Sequence, residues 1–206
     1  MPLTLSEWYP VKAAGLFALI MMLVLARRDR HPFPLFGPAN LTTTLRALLV
    51  ALTAAFIGED VTESAAASAV SLGGGAAALD ALDGWLARRT KMASAFGARF
   101  DMEIDALLIL VLAILVWRHG KAGSWVLASG LLRYGFVAAA WALPWMRTPV
   151  PPSVRGKAIC AVQIVALLLA LAPFVRAPLS AVVAAVALGV LSYSFLIDTI
   201  WLWKRR

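Results

Sequence analysis

Cysteine occurs once and histidine twice in the 206 residues. A single thiol, Cys160, excludes a disulfide framework and any cysteine-based metal cluster. Two histidines cannot build a tri-histidine zinc site, and neither His31 nor His119 stands in a spaced ligand motif. Charge is also scarce. Only 15% of the residues are charged and 62% are hydrophobic, where a soluble domain is nearer a quarter charged and half apolar. A soluble globular domain, a disordered tail and a fibrous repeat are thereby excluded. Acidic residues are the rarer sign, 11 against 19 basic, for a net charge of +8. In a chain this apolar the basic excess marks cytoplasmic loops, and no nucleic-acid partner is needed to explain it.

What is abundant is long apolar stretches. A membrane-spanning helix needs roughly 20 mostly apolar residues, and seven stretches qualify, at about 8–26, 40–57, 65–88, 97–117, 124–146, 157–175 and 178–203. The breaks between them are short, and no gap could house a second soluble domain. The fold expected is therefore all-α and integral to the membrane. The first stretch is read as a retained helix and not a signal peptide. Its positive charges, Arg27, Arg28 and Arg30, follow the apolar core, and Glu7 precedes it. With the N-terminus outside, the inner loops hold Arg27, Arg28, Arg30, Arg88, Arg89, Lys91, Arg99, Arg147, Arg155, Lys157, Lys204, Arg205 and Arg206. The outer side holds Lys12, Arg118, Lys121 and Arg176. That asymmetry obeys the positive-inside rule.

Four acids sit where acids are expensive. Asp80, Asp83, Asp101 and Asp105 fall in or at the cytoplasmic ends of the third and fourth stretches, and a charge in a span costs roughly 2.5–3.5 kcal/mol even on the lenient insertion scale. Pairing with Arg88, Arg89 and Arg99 would satisfy one or two of them, but would not explain their spacing. Asp80 and Asp83 stand one helical turn apart, with Gly84, Ala87 and Arg88 at the same offsets. Gly97, Asp101 and Asp105 repeat every fourth residue. Each set shares a helix face. Two acidic stripes on antiparallel helices then face one cavity lined by small residues. Clustered carboxylates without histidine or thiolate suit a hard divalent cation, Mg²⁺ or Mn²⁺. A pair of such ions is the usual arrangement for in-line displacement at phosphorus. Arg46 lies within the second stretch and pairs either with a motif acid or with a lipid phosphate. Arg133 lies mid-span in the fifth, where its partner is a phosphate or an acid. Asp198 is assigned to the basic tail at 204–206, and Gln163 to an acceptor contact or an interhelical hydrogen bond.

The run Asp80-Ala-Leu-Asp83-Gly84-Trp-Leu-Ala87-Arg88, eight residues, Gly97, three residues, Asp101, three residues, Asp105 resembles the signature D-x2-D-G-x2-A-R-x8-G-x3-D-x3-D of the CDP-alcohol phosphatidyltransferases. Every fixed position matches. Asn40-Leu-Thr-Thr43-Thr-Leu-Arg46 is similar to the N-x-x-T-x-x-R of the family's first core helix. The run from Gly156-Lys157 to Gln163 is similar to the G-K-x-K-T-x-x-Q of glycerol-phosphate-using members, with Ile159 and Cys160 in place of Lys and Thr. The resemblance implies a six-helix transmembrane core over 36–206, preceded by an extra transmembrane helix and basic linker over 1–35.

It also implies an enzyme of phospholipid synthesis, like phosphatidylglycerophosphate or phosphatidylinositol-phosphate synthases. The enzyme moves a phosphatidyl group from CDP-diacylglycerol to a small alcohol and releases CMP. Asp80, Asp83, Asp101 and Asp105 would hold two Mg²⁺ or Mn²⁺ ions, and Asp105 would also be the general base. Asn40, Thr43, Gly84, Ala87, Arg88, Ser94 and Gly97 would receive the CDP donor. Arg133, Arg155 and Lys157 would bind the acceptor's phosphate and make glycerol 3-phosphate the first choice, with inositol phosphate as another. The protein would be a homodimer among the lipids of a bacterial inner membrane, its site facing the cytoplasm. A cation transporter or a non-catalytic membrane scaffold are the competing classes. All four acids crowd one end of the spans, which disfavours a transport path, and a scaffold gains nothing from intact aspartates.

The orientation is open to test. With Cys160 replaced, Lys91→Cys should resist an impermeant thiol reagent added outside intact cells and react after permeabilisation. Labelling from outside would reverse the topology.

Overall fold

A computed structural model describes residues 3–27, 36–89, 94–148, 150 and 153–205, with the side chains of 81–88 outside that description. The described residues form seven α-helices and no strand. They are α1 (Trp8–Leu25), α2 (Pro38–Ala54), α3 (Glu63–Arg89), α4 (Ala95–Arg118), α5 (Ala128–Ala142), α6 (Val154–Leu171) and α7 (Leu179–Trp203), with 3₁₀ turns at Ser124–Leu127 and Pro144–Arg147. Four stretches are long and apolar enough to cross a membrane by length and composition: Trp8–Leu25, Ser124–Ala142, Val154–Leu171 and Leu179–Trp203. Large apolar side chains on these helices stand exposed, Trp8 at 70% and Trp141 at 78%, as lipid-facing positions would be.

Local chemistry sets the helix ends. Gly37 takes φ 79° just before Pro38, a conformation glycine adopts without strain, and Pro38 occupies the first helical position, where its missing N–H is no loss. Thr62 caps α3 by accepting the amide of Ala65 at 3.1 Å, and Ser153 caps α6 by accepting that of Gly156 at 3.0 Å. Two ends fall inside stretches read as continuous spans. Leu143 is extended (φ −114°, ψ 104°) because it precedes Pro144, so α5 ends at Ala142. Ala172 leaves the helical region (ψ 137°) before Pro173, so α6 ends at Leu171 and not near 175.

The chain divides into two compact units, residues 1–111 and 112–206, with the boundary inside α4. In the first unit α2 packs on α3 and on α1. The buried face of α2 runs through Asn40, Thr43, Arg46, Ala47, Val50 and Ala51, at the three- and four-residue spacing of one helix face. Facing alanines of α3, such as Ala65, Ala66, Ala69 and Ala76, are also buried. Their small size lets the two backbones approach closely.

The N-terminal helix is fastened to this unit by polar contacts around one acid. Glu59, in the turn after α2, is buried. It accepts hydrogen bonds from the Ser6 amide and hydroxyl, each at 2.7 Å, and an ion pair from Lys12. Lys12 also donates to the Ile57 carbonyl at 3.2 Å, and the Tyr9 hydroxyl to that of Leu52 at 2.9 Å. The Tyr9 ring meets Phe56 edge-on, 5.0 Å between centroids.

In the second unit α7 packs on α6 and on α5. Phe136 meets Phe195 at 5.5 Å and Trp145 meets Trp203 at 5.2 Å. Lys121 closes the turn between α6 and α7. Its ammonium donates to the carbonyls of Ala172 (3.1 Å) and Val175 (2.5 Å), and its own carbonyl accepts from Ser180 at 2.6 Å. These bonds satisfy carbonyls that the end of α6 leaves without helical partners.

The Glu59 contacts make a pH prediction. Hydrogen bonds from Lys12 and Ser6 hold the Glu59 carboxyl down at about 2, from an ordinary 4.5. A carboxyl depressed on folding stabilises the fold above its unfolded value, and that stabilisation is lost as pH falls toward the folded value. The melting temperature of the detergent-solubilised protein should exceed that of Glu59→Gln above about pH 4.5, with the gap closing between about 4.5 and 2. A gap that stays constant over this range would contradict it.

Candidate active site

Three of the four motif acids converge on one cation. Asp80 lies near the C-terminal end of α3, and Asp101 and Asp105 lie one turn apart in the first half of α4. An oxygen from each of the three carboxylates lies within 4.8 Å of the others. Between them sits the guanidinium of Arg46, from the buried face of α2. It makes ion pairs with Asp101 and Asp105 and a third with Asp80 at 2.9 Å, and its Nε donates to the Ala76 carbonyl at 3.1 Å. Of the two partners open to Arg46 from sequence, the structure has the motif acids. Counter-charge for the cluster therefore comes from α2.

Exposure falls in order across the cluster. The side chain of Asp80 is 42% exposed, Asp101 24%, Asp105 16% and Arg46 0%. Arg46 is thus the floor and Asp80 the open edge. An unpaired charge at that depth would be strongly destabilising, and three carboxylate oxygens this close would repel one another without a cation. Three hard oxygen donors in so small a space fit Mg²⁺ or Mn²⁺, and the group of ligands among the described residues holds no nitrogen or sulfur, which disfavours softer ions. The backbone of Asp83, Gly84, Ala87 and Arg88 continues α3. Their side chains lie outside the described residues.

The other predicted donor contacts in this unit are packed against one another. Asn40 is buried and donates from its amide nitrogen to the Phe36 carbonyl. Thr43 is buried and its hydroxyl bonds the Ala39 carbonyl at 3.1 Å. Gly97 stands directly against Asn40: a Cβ there would lie 2.8 Å from Asn40 Oδ1 and 3.3 Å from Ser94 Oγ. The room created by Gly97 is taken, at least in part, by the Asn40 amide. Ser94 accepts the Gly97 amide at 3.0 Å and so caps α4. A Ser one residue before a helix is a recognisable cap signal, and it places Ser94 without a ligand.

The three predicted acceptor residues belong to the second unit. Arg133 is half-buried in the second turn of α5. Lys157 is exposed in the first turn of α6. Arg155, beside it, makes an ion pair with Asp198 of α7 at 2.5 Å. Asp198 is therefore partnered across the helices and, among the described residues, not by the C-terminal tail, where the guanidinium of Arg205 lies 4.1 Å from the centre of the Trp201 ring. Gln163 is fully buried, and neither its amide nitrogen nor its oxygen has a hydrogen-bond partner among the described residues.

No curated protein and no solved structure matches the chain. The family model of the CDP-alcohol phosphatidyltransferases matches residues 36–194, from just before α2 into α7. That span takes in the signature run, the Arg46-centred carboxylates and the basic residues of α5 and α6. The chain belongs to the CDP-alcohol phosphatidyltransferase family, membrane transferases that move a phosphatidyl group from a CDP-alcohol.

Proposed function

We propose that this protein transfers the phosphatidyl group of CDP-diacylglycerol to a small phosphorylated alcohol, glycerol 3-phosphate first, in a divalent-metal-dependent reaction that releases CMP. The observation that carries the reading is the convergence of Asp80, Asp101 and Asp105 within 4.8 Å in a chain of this family. Those three acids, with Asp83 from the signature, would hold Mg²⁺ or Mn²⁺. When bound, such ions neutralise the donor's diphosphate and favour departure of CMP. Asp105 takes the proton of the acceptor hydroxyl as its oxygen attacks the phosphorus that bears the lipid. A new P–O bond forms there, and the bond to the CMP phosphate breaks. Asn40, Thr43, Ser94 and Gly97, with Gly84, Ala87 and Arg88, border the donor's place. Arg88 suits phosphate oxygens through its fork of donors.

Arg133, Arg155 and Lys157 receive the acceptor's phosphate, and the Asp198 carboxylate fixes the Arg155 guanidinium for that contact. Inositol phosphate is the second acceptor of this class. The architecture is a six-helix transmembrane core over 36–206, with residues 1–35 an added helix and basic linker. It acts as a homodimer in a bacterial inner membrane with the site on the cytoplasmic face. A cation transporter is disfavoured because the clustered carboxylates have a resident arginine among them.

Purified protein incubated with labelled CDP-diacylglycerol, Mg²⁺ and a panel of alcohols should release CMP and form labelled phosphatidylglycerophosphate with glycerol 3-phosphate. Excess EDTA should abolish the reaction, and undiminished transfer in EDTA would remove the metal from the mechanism. Two variants should fail differently. Asp105→Asn should lose turnover by about 10²-fold or more while keeping most of its donor affinity. Asp80→Asn should lose donor affinity as well. Equal loss of donor binding in both would contradict the division of roles.

A further inference from the structure

Among the described residues of the first unit's carboxylate cluster, Arg46 is the fully buried charge, and the signature leaves it without a role. It sits on α2, outside the run that holds the acids, yet it touches three of them. Its place is fixed from behind by the Ala76 carbonyl. Its side chain has no exposed surface, whereas exposure of the acids rises from Asp105 to Asp80. An ion or substrate arriving from solvent meets the acids first and the guanidinium last. A guanidinium cannot shed its proton, so its charge is permanent. Among the described side chains of the cluster, three carboxylates and one guanidinium sum to −2, so the cluster keeps a net negative charge with Arg46 in place.

We infer that Arg46 is a resident cation of the catalytic site, a positioning residue that stays in place when metal binds. It holds Asp80, Asp101 and Asp105 converged when no metal is present. It also offsets one of their negative charges, so that the site folds without metal and binds a divalent ion less tightly than bare carboxylates would. The second statement rests on the metal-dependent reading above; the first does not.

The test compares wild type, Arg46→Met, Arg46→Lys, Asp101→Asn and the double variant Arg46→Met/Asp101→Asn, by melting in detergent with EDTA and by Mn²⁺ titration. Arg46→Met should lower the metal-free melting temperature by roughly 10 °C, because three carboxylates are left without their cation. Arg46→Lys should keep part of the loss, since an ammonium carries the charge without the fork. Asp101→Asn alone should destabilise, yet on the Arg46→Met background it should raise the melting temperature, because one repelling charge is gone. That reversal of sign separates charge compensation from packing. Mn²⁺ should bind Arg46→Met about tenfold more tightly than wild type and raise its melting temperature by more.

Equal effects of Asp101→Asn in both backgrounds, or a metal-free Arg46→Met as stable as wild type, would overturn the inference. Should Arg46→Met fail to fold, the double variant must recover folding, and its failure would reduce Arg46 to a packing residue. Unchanged or weaker Mn²⁺ binding in both Arg46 variants would overturn the affinity statement. Wild type that binds no Mn²⁺ would sink the metal-dependent function, while the Asp101→Asn comparison would still decide the positioning role.

Discussion

A buried guanidinium must have partners, and the first unit is organised around meeting that requirement. Arg46 stands on the face of α2 that packs inward, where an unpaired charge would cost several kcal/mol. Its partners come from two other helices: the Ala76 carbonyl and Asp80 from α3, Asp101 and Asp105 from α4. One side chain therefore links three helices at the level of the signature acids. The small residues around it follow from the same constraint. Alanines along α3 let the backbones close, and Gly97 gives way to the Asn40 amide from α2. The helices that are long and apolar enough to span by length and composition are α1, α6, α7 and the stretch that ends in α5, so the cluster sits on the more polar or shorter helices α2, α3 and α4. The polar chemistry is concentrated where the helices can pair it internally, as the low-dielectric surroundings demand.

The remaining polar contacts are arranged on the same rule at smaller scale. Glu59 gathers Ser6 and Lys12 and so ties α1 to the end of α2. Lys121 takes up the carbonyls released where α6 ends. Arg155 and Asp198 pair between α6 and α7. Each contact joins segments far apart in sequence. Gln163 departs from the rule, buried with its amide unmatched among the described residues. It lies in the segment similar to that of glycerol-phosphate-using relatives, which bears on the acceptor reading.

The signature acids were legible because helical periodicity converts spacing into a shared face. Residues four apart in α4 had to point the same way, and two such stripes on adjacent helices had to meet if the helices were antiparallel. Asp80, Asp101 and Asp105 do come together. The meaning of the neighbouring small and hydroxylic residues was less legible. Ser94 reads from family pattern as a nucleotide contact, but its position one residue before α4 makes it the helix cap. Gly97 reads as room for a ligand, but its missing Cβ also admits Asn40. The span limits at Pro144 and Pro173 were overdrawn because apolarity was allowed to override proline, which local sterics do not permit.

Composition and the run of apolar stretches sufficed for an all-helical membrane protein, and the spacing of the signature sufficed for its family and the acids of its site. These are local quantities: length of apolar run, period, and the conformational limits of single residues. Which cation answers the acids was a different kind of question. Arg46 lies more than 30 residues before the first of the acids in sequence, yet it makes the contacts, because α2 lies against α3 with that face inward. Likewise Asp198 takes Arg155 across a helix pair. Ion pairing falls off with distance in space and with exposure to water. Sequence fixes neither quantity between distant segments, so tertiary packing alone decided the partners.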